Sequence, residues 1–254
     1  MPISQQIAAG DLSLFAHVGS QTSDADRRSL LAVHHAVAER TGSFSYLEIG
    51  SHLGGTLQAF MVDPRCRRVV SIDPRPPAQP DDRGEVFVYA GNSTARMLSL
   101  LAGVPGAALE KLETIELGTE DIAPGSLPRP DLCLVDGEHT YAAALRDGRF
   151  CRAVMQGAGT ILFHDREIVE PAILDFLREV SGPVAAYPLR GSLFAVELGA
   201  TAPLTADPAV AAQLGPPAPV LWRAAARLGL SARLTRAAGY RPRRRKPVPG
   251  DTAP

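Results

Sequence analysis

The sequence predicts an α/β fold: a doubly wound, mostly parallel seven-stranded sheet with a C-terminal antiparallel hairpin strand. Two observations support this prediction. Short apolar runs alternate with helical patterns from residue 45 to about residue 180, which is typical of a parallel sheet with helices on both faces. Residues 184–199 then form two strand-like runs around Arg190-Gly191, as in a hairpin.

The composition excludes several classes of protein. The chain has 254 residues, of which 45% are hydrophobic and 21% charged, with a net charge of −1. A net charge so close to zero argues against nucleic acid or an anionic membrane as the main partner. The N-terminus resembles no signal peptide and no apolar run is long enough to span a bilayer, so we expect a cytoplasmic protein. Cys66, Cys133 and Cys151 are far apart, which suggests neither a zinc knuckle nor a disulfide framework.

The sequence divides into three parts. Residues 1–44 are predicted as a helical segment, in which Ser23 and Asp26 form a capping box for a helix over 23–40. Residues 45–199 carry the alternating pattern, and residues 200–254 form an extension with a helix at 218–230 and a disordered basic tail. No pattern decides the oligomeric state, so a homo-oligomer remains open.

Strands and helices follow in order through the second part. The predicted strands are SYLEIG (45–50), RRVVSID (67–73), EVFVYAG (85–91), DLCLVDG (131–137) and GTILFHD (159–165). The predicted helices begin at 54, 93 and 141, and a fourth begins at Pro171, because proline is tolerated in the first turn. Residues 102–130 fit no element.

The first two strands end in residues suited to a nucleotide-like ligand. Glu48, Gly50, Ser51 and Gly54 lie where the first strand ends, and the two glycines let the backbone turn tightly and approach a ligand. Asp73 ends the second strand, where a carboxylate can accept hydrogen bonds from ribose hydroxyls. The spacing E-x-G-x-x-x-G is not the G-x-G-x-x-G of pyrophosphate binding, which disfavours an NAD-dependent oxidoreductase.

Two later strands end in acids and histidines. Asp136 and His139 follow one strand, and His164 and Asp165 follow the next. Neighbouring strands lie about 4.8 Å apart, so the two carboxylates can converge, and a divalent cation between them would relieve their repulsion. Such a cation would lower the pKa of a substrate hydroxyl, and His139 could accept its proton. The alternatives are that both aspartates cap helices and that His139 is a solvated loop residue.

The segments around 48–54, 73 and 90–93 resemble the motifs of class I S-adenosylmethionine-dependent methyltransferases (EC 2.1.1.-), which have a Rossmann-like fold. That resemblance implies Glu48 near the amino end of the cofactor, Asp73 on its ribose, and Asn92 or Ser93 near its base.

The segment 131–165 resembles a narrower family, the metal-dependent macrocin and mycinamicin sugar O-methyltransferases, grouped with cephalosporin-hydroxylase-like proteins. That resemblance implies Asp136 and Asp165 as metal ligands and His139 as the base. His164 stands where that family has an acid, so it is a third candidate ligand. Mg²⁺ is expected, whereas a nitrogen ligand suits Mn²⁺ or another transition metal better.

The leading hypothesis is therefore an O-methyltransferase for a small-molecule or glycan acceptor. The alternative is a non-catalytic module that binds S-adenosylmethionine or a nucleotide.

Overall fold

A computed structural model describes residues 1–199 and 202–216. Seven strands form the central sheet in the order β5-β2-β1-β6-β7-β9-β8. Five of them are parallel, β9 runs antiparallel to β7, and β8 pairs with β9 as a hairpin. The predicted fold class is confirmed. The strands are β1 (Phe44–Ile49), β2 (Cys66–Ile72), β5 (Leu112–Ile115), β6 (Leu132–Val135), β7 (Gly159–Phe163), β8 (Val184–Pro188) and β9 (Phe194–Leu198).

Seven α-helices accompany the strands within the described residues. They are α1 (Ile3–Ala8), α2 (Asp24–Thr41), α3 (Gln58–Val62), α4 (Thr94–Ala102), α5 (Tyr141–Val154), α6 (Arg166–Glu179) and α7 (Pro208–Ala212). The capping box predicted for α2 is present, since Ser23 accepts from the Asp26 amide and the Asp26 carboxylate accepts from the Ser23 amide. Gly42, with φ of 72°, ends this helix.

Alternate side chains of β1 enter two different cores, one on each face of the sheet. Phe44 and Tyr46 pack in the cluster that contains α2 and α3. Leu47 and Ile49 pack in the cluster that contains α5 and α6. Because side chains alternate along a strand, Glu48 points toward the same core as Tyr46.

Two sequence predictions are wrong. EVFVYAG does not supply the third strand of the central sheet, because Val86–Val88 instead forms β4 of a separate hairpin with β3 (Ala78–Pro80). Its apolar side chains face solvent, with Val86 65% and Val88 75% exposed. The strand beside β2 is β5, which lies in the stretch that fitted no element.

The start of α6 is also different from the prediction. The helix begins at Arg166, directly after β7, and Pro171 lies inside it. Since proline has no amide hydrogen, the helix lacks the bond that residue 171 would donate to the Glu167 carbonyl.

The predicted helix at 218–230 and the basic tail lie outside the described residues. Among those residues, none of the helices combines the length and the apolar character needed to cross a bilayer.

Candidate active site

The ends of β6 and β7 bring one carboxylate and two histidines together. The Asp136 amide donates to the Ile49 carbonyl over 2.9 Å, which fixes the start of this loop beside the end of β1. From Asp136 Oδ1, His164 Nδ1 lies 2.9 Å away and His139 Nε2 lies 3.4 Å away. One ligand atom from each of the three side chains lies within 4.8 Å of the others. This oxygen and nitrogen set suits a transition-metal cation.

His164 is the most buried member of this cluster, at 7% exposure. Its Nδ1 faces Asp136 and its Nε2 faces Asp26 at 3.7 Å. Neither ring nitrogen makes a hydrogen bond of acceptable geometry. Buried nitrogens are normally hydrogen-bonded. His164 Nδ1 lies 2.9 Å from Asp136 Oδ1 without the geometry of a hydrogen bond, and this arrangement is the one expected of two atoms that ligate the same cation.

Charge coupling within the cluster is strong. Burial would raise the pKa of Asp136, but His164 and His139 lower it to about 2. Burial would lower the pKa of His164, but the carboxylates of Asp136 and Asp26 raise it well above its ordinary value. The carboxylates and the histidines therefore favour one another's charged forms.

Asp165 adds a second carboxylate in a strained conformation. Its φ of 48° and ψ of 43° are left-handed, a cost that proteins tolerate mainly at functional sites. Its oxygens lie 3.5 Å from His139 Nε2 and 3.7 Å from His164 Nδ1. The helix-capping alternative is wrong for both aspartates, because Thr140 caps α5 and the Asp165 side chain makes no cap bond to α6.

The loop after β1 packs directly on the loop after β6. Gly50 has φ of 87°, and a Cβ there would lie 2.1 Å from the Asp136 carbonyl oxygen. Only glycine allows this approach. Ser51 follows, and its hydroxyl accepts from the Ser71 hydroxyl at 2.9 Å. The two halves of the site are therefore in backbone contact.

Asp73 lies at the end of β2 and faces the same cleft. Its carboxylate accepts from the amides of His52 and Arg75, both at 2.8 Å. The Arg75 guanidinium lies 3.3 Å from Asp73 and donates to the Asn92 side-chain oxygen at 3.0 Å. Arg75, which the sequence did not single out, thus connects the two predicted cofactor residues.

One cleft contains most of the predicted site. Its lining includes eight of the predicted residues: Gly50, Ser51, Asp73, Asn92, Asp136, His139, His164 and Asp165. Residues without a sequence signal also line it, among them Gln21 from the N-terminal segment and Gln79 and Tyr89 from the β3–β4 hairpin. These come from distant parts of the chain, and no local pattern identifies them.

Three predicted residues do not line this cleft. Glu48 is fully buried and accepts from the hydroxyls of Tyr46 at 2.6 Å and Thr56 at 2.7 Å. Gly54 has φ of 82° and shapes the bend before α3. Ser93 caps α4 by accepting from the Arg96 amide. Each of the three has a structural role that the geometry accounts for.

The burial of Glu48 predicts a pH dependence of stability. Burial raises its pKa from an ordinary value of 4.5 to about 7, despite the Tyr46 and Thr56 hydroxyls. A carboxyl whose pKa is higher in the folded state stabilises that state below the unfolded pKa, and this stabilisation is lost as pH rises through the folded pKa. Between about pH 5 and pH 8, wild type should therefore lose about 2–3 kcal/mol relative to Glu48→Gln.

Urea unfolding of wild type and Glu48→Gln at both pH values measures this loss. Because all other titrating groups are common to the two proteins, their contributions cancel in the difference. If the free energies of unfolding of the two proteins change equally between the two pH values, burial does not hinder the ionisation of Glu48 in the folded protein.

The β3–β4 hairpin is attached to the loop that carries His139. The Asp82 amide donates to the His139 carbonyl at 3.2 Å. The Asp82 carboxylate accepts from the Tyr141 amide at 2.8 Å. The hairpin therefore holds the backbone at His139 and two residues beyond it.

Comparison with known families agrees with this architecture. A family model described as "Methyltransferase domain" matches residues 47–166. Residues 47–166 form a methyltransferase domain. This match and the sheet order confirm the prediction of a class I S-adenosylmethionine-dependent methyltransferase. The methyltransferase domain contains every predicted site residue. A search of curated protein sequences returned no match.

Solved structures resemble the chain in fold. Spermidine synthase from Thermotoga maritima has a TM-score of 0.50 at 14% identity, covering 80% of this chain and 74% of that one. A putative O-methyltransferase from Klebsiella pneumoniae has a TM-score of 0.47 at 12% identity, covering 79% and 91%. The O-methyltransferase TomG from Streptomyces achromogenes, in complex with SAM, has a TM-score of 0.44 at 13% identity, covering 79% and 91%.

Proposed function

We propose that the methyltransferase domain is a metal-dependent O-methyltransferase that acts on a hydroxyl of a sugar, glycoside or natural product. The observation that carries this proposal is the grouping of Asp136, His139 and His164 in the cleft that also contains Asp73. A carboxylate with two histidines is a set of ligands for a cation, and Asp73 suits a ribose.

Asp136 and His164 are the ligands that the geometry favours most. Their facing atoms are 2.9 Å apart, and the buried His164 nitrogens lack hydrogen-bond partners. Asp165 would add a further oxygen. The nitrogen of His164 favours Mn²⁺ or another transition metal over Mg²⁺. A divalent cation held by these residues would lower the pKa of a neighbouring substrate hydroxyl.

His139 is the proposed proton acceptor. Its side chain is 15% exposed, so an acceptor hydroxyl can reach it from the cleft. Asp165 Oδ2, 3.5 Å from His139 Nε2, would stabilise the imidazolium that forms. Because His139 also lies within ligand range of Asp136, His139→Gln separates the two roles: loss of turnover with retained metal affinity supports the base.

Asp73, Gly50, Ser51 and Asn92 would hold the cofactor. Asp73 would accept from the ribose hydroxyls, and the Gly50 backbone offers a surface without a Cβ. S-adenosylmethionine supplies an electrophilic methyl group when bound. A hydroxyl placed between the histidines and this methyl group would have both its proton acceptor and its electrophile in one cleft.

The non-catalytic alternative is not favoured. A module that only binds a nucleoside needs no carboxylate with two histidines grouped in the same cleft.

Calorimetric titration with S-adenosylhomocysteine, with and without Mn²⁺, tests the proposal. Asp73→Ala should weaken nucleoside binding by about 100-fold or more, because it removes a buried carboxylate acceptor for two hydroxyls. Asp131→Ala is the matched control, since Asp131 accepts from the Ser45 amide at the opposite end of the sheet. Equal loss in both variants would point to general destabilisation.

A further inference from the structure

An additional carboxylate lies behind the cation cluster. Asp26, in the first turn of α2, is 4% exposed, and its Oδ2 lies 3.7 Å from His164 Nε2. The other nitrogen of the same ring faces Asp136. His164 is therefore flanked by two carboxylates, one from the central sheet and one from the N-terminal segment outside the matched methyltransferase domain.

The Asp26 carboxylate is held by four donors. Oδ2 accepts from the Ser23 amide at 3.0 Å and the Ser23 hydroxyl at 2.5 Å. Oδ1 accepts from the Ser192 amide at 2.6 Å and the Ser192 hydroxyl at 3.1 Å. These bonds leave the carboxylate little freedom to rotate.

The turn between β8 and β9 is shaped to receive this carboxylate. Gly191 has φ of 78°, and a Cβ there would lie 2.2 Å from Asp26 Oδ1. The neighbouring Ser192 hydroxyl also accepts from the Asp165 amide at 3.3 Å. Asp26 and Ser192 together therefore contact both His164 and the backbone of Asp165.

We propose that Asp26 is a positioning residue for the metal centre, which orients His164 so that Nδ1 is presented to a cation beside Asp136. This inference rests on the proposed metal dependence. A neutral imidazole has one N–H and one lone pair. With its N–H on Nε2, directed toward Asp26, His164 has its lone pair on Nδ1. A carboxylate behind a metal-bound histidine fixes the tautomer in this way and raises the basicity of the ligand.

Metal affinity of the purified metal-free protein provides the test. Asp26→Asn keeps the size of the side chain and an acceptor oxygen, but removes the charge. Calorimetric titration with Mn²⁺ should give an affinity about 10- to 100-fold weaker than wild type, the usual effect of losing such a partner. This readout needs neither cofactor nor acceptor.

Asp63→Asn is the matched control. Asp63 is also a buried carboxylate beside a buried histidine, with Oδ2 2.8 Å from His34 Nε2. That pair is outside the cleft. If Asp26 acts only through stability, both variants should lower the unfolding temperature and neither should change the affinity for Mn²⁺.

A second measurement uses the wild type, so it does not depend on whether Asp26→Asn folds. Nitrogen-15 spectra of histidine-labelled protein with Zn²⁺ should show His164 protonated at Nε2 and coordinated through Nδ1. Coordination through Nε2, or an affinity for Mn²⁺ in folded Asp26→Asn equal to wild type, overturns the inference while leaving the metal-dependent function intact. Failure of wild type to bind any divalent cation overturns both.

Discussion

Asp136→Ala should abolish binding of the divalent cation and lower methyl transfer by about 1,000-fold or more. Asp136 lies closer to the two histidines than Asp165 does, at 2.9 Å from His164 and 3.4 Å from His139. Its loss removes a charged group of the proposed ligand set and leaves His164 with two carboxylate neighbours, Asp26 and Asp165, each at 3.7 Å. A bound cation is worth several kcal/mol of transition-state stabilisation, and about 1.4 kcal/mol corresponds to tenfold in rate.

Initial rates with a labelled methyl donor, before and after chelation, measure this effect. Glu138→Gln is the matched control, because Glu138 lies in the same loop, outside the cluster, and accepts from the Thr140 hydroxyl at 2.7 Å. Wild type treated with chelator should behave like Asp136→Ala. Turnover that is unchanged by both the substitution and the chelator would rule out the metal mechanism.

Gly50→Ala should be the most damaging single-methyl substitution in the cleft. The added Cβ would lie 2.1 Å from the Asp136 carbonyl oxygen and 2.6 Å from the Gly137 Cα, and both of these are backbone atoms that no side-chain rotation can move away. The φ of 87° adds the cost of a left-handed conformation, about 1–2 kcal/mol. We expect a total loss of at least about 3 kcal/mol in the free energy of unfolding, together with loss of nucleoside binding.

Gly84→Ala separates the two contributions to this loss. Gly84 has φ of 86°, but a Cβ there would meet nothing within 4 Å. Denaturant unfolding of the two variants should therefore differ by the steric cost alone. If they are equally stable, the contact between the loops after β1 and β6 tolerates a methyl group, contrary to the structure.

The central sheet was predictable because its inner strands are buried on both faces. β1, β2, β6 and β7 are apolar runs that end in Gly or Asp, and each lies where the sequence places it. β5 was not predictable, because this edge strand is only partly buried and its LETI sequence carries little hydrophobic signal. The VFV run was wrongly predicted as a strand of the central sheet because it is apolar, and the hydrophobicity of a strand does not by itself specify that the strand will be buried.

The convergence of Asp136, His139, His164 and Asp165 followed from the topology, because adjacent parallel strands end at the same edge of a sheet. Glu48 is paired with the hydroxyls of Tyr46 and Thr56, two and eight positions away along the chain. Asp26 could not be found in this way. Its capping box is a local signal, whereas its approach to His164, 138 positions along the chain, depends on how α2 packs.

The attachment of the β3–β4 hairpin through Asp82 has a mechanical consequence for catalysis. If the hairpin moved outward and widened the opening of the cleft, it would pull on the main chain at His139. The His139 imidazole would then move away from its acidic neighbours. In the proposed function, such a movement would displace the proposed proton acceptor from its position beside Asp165.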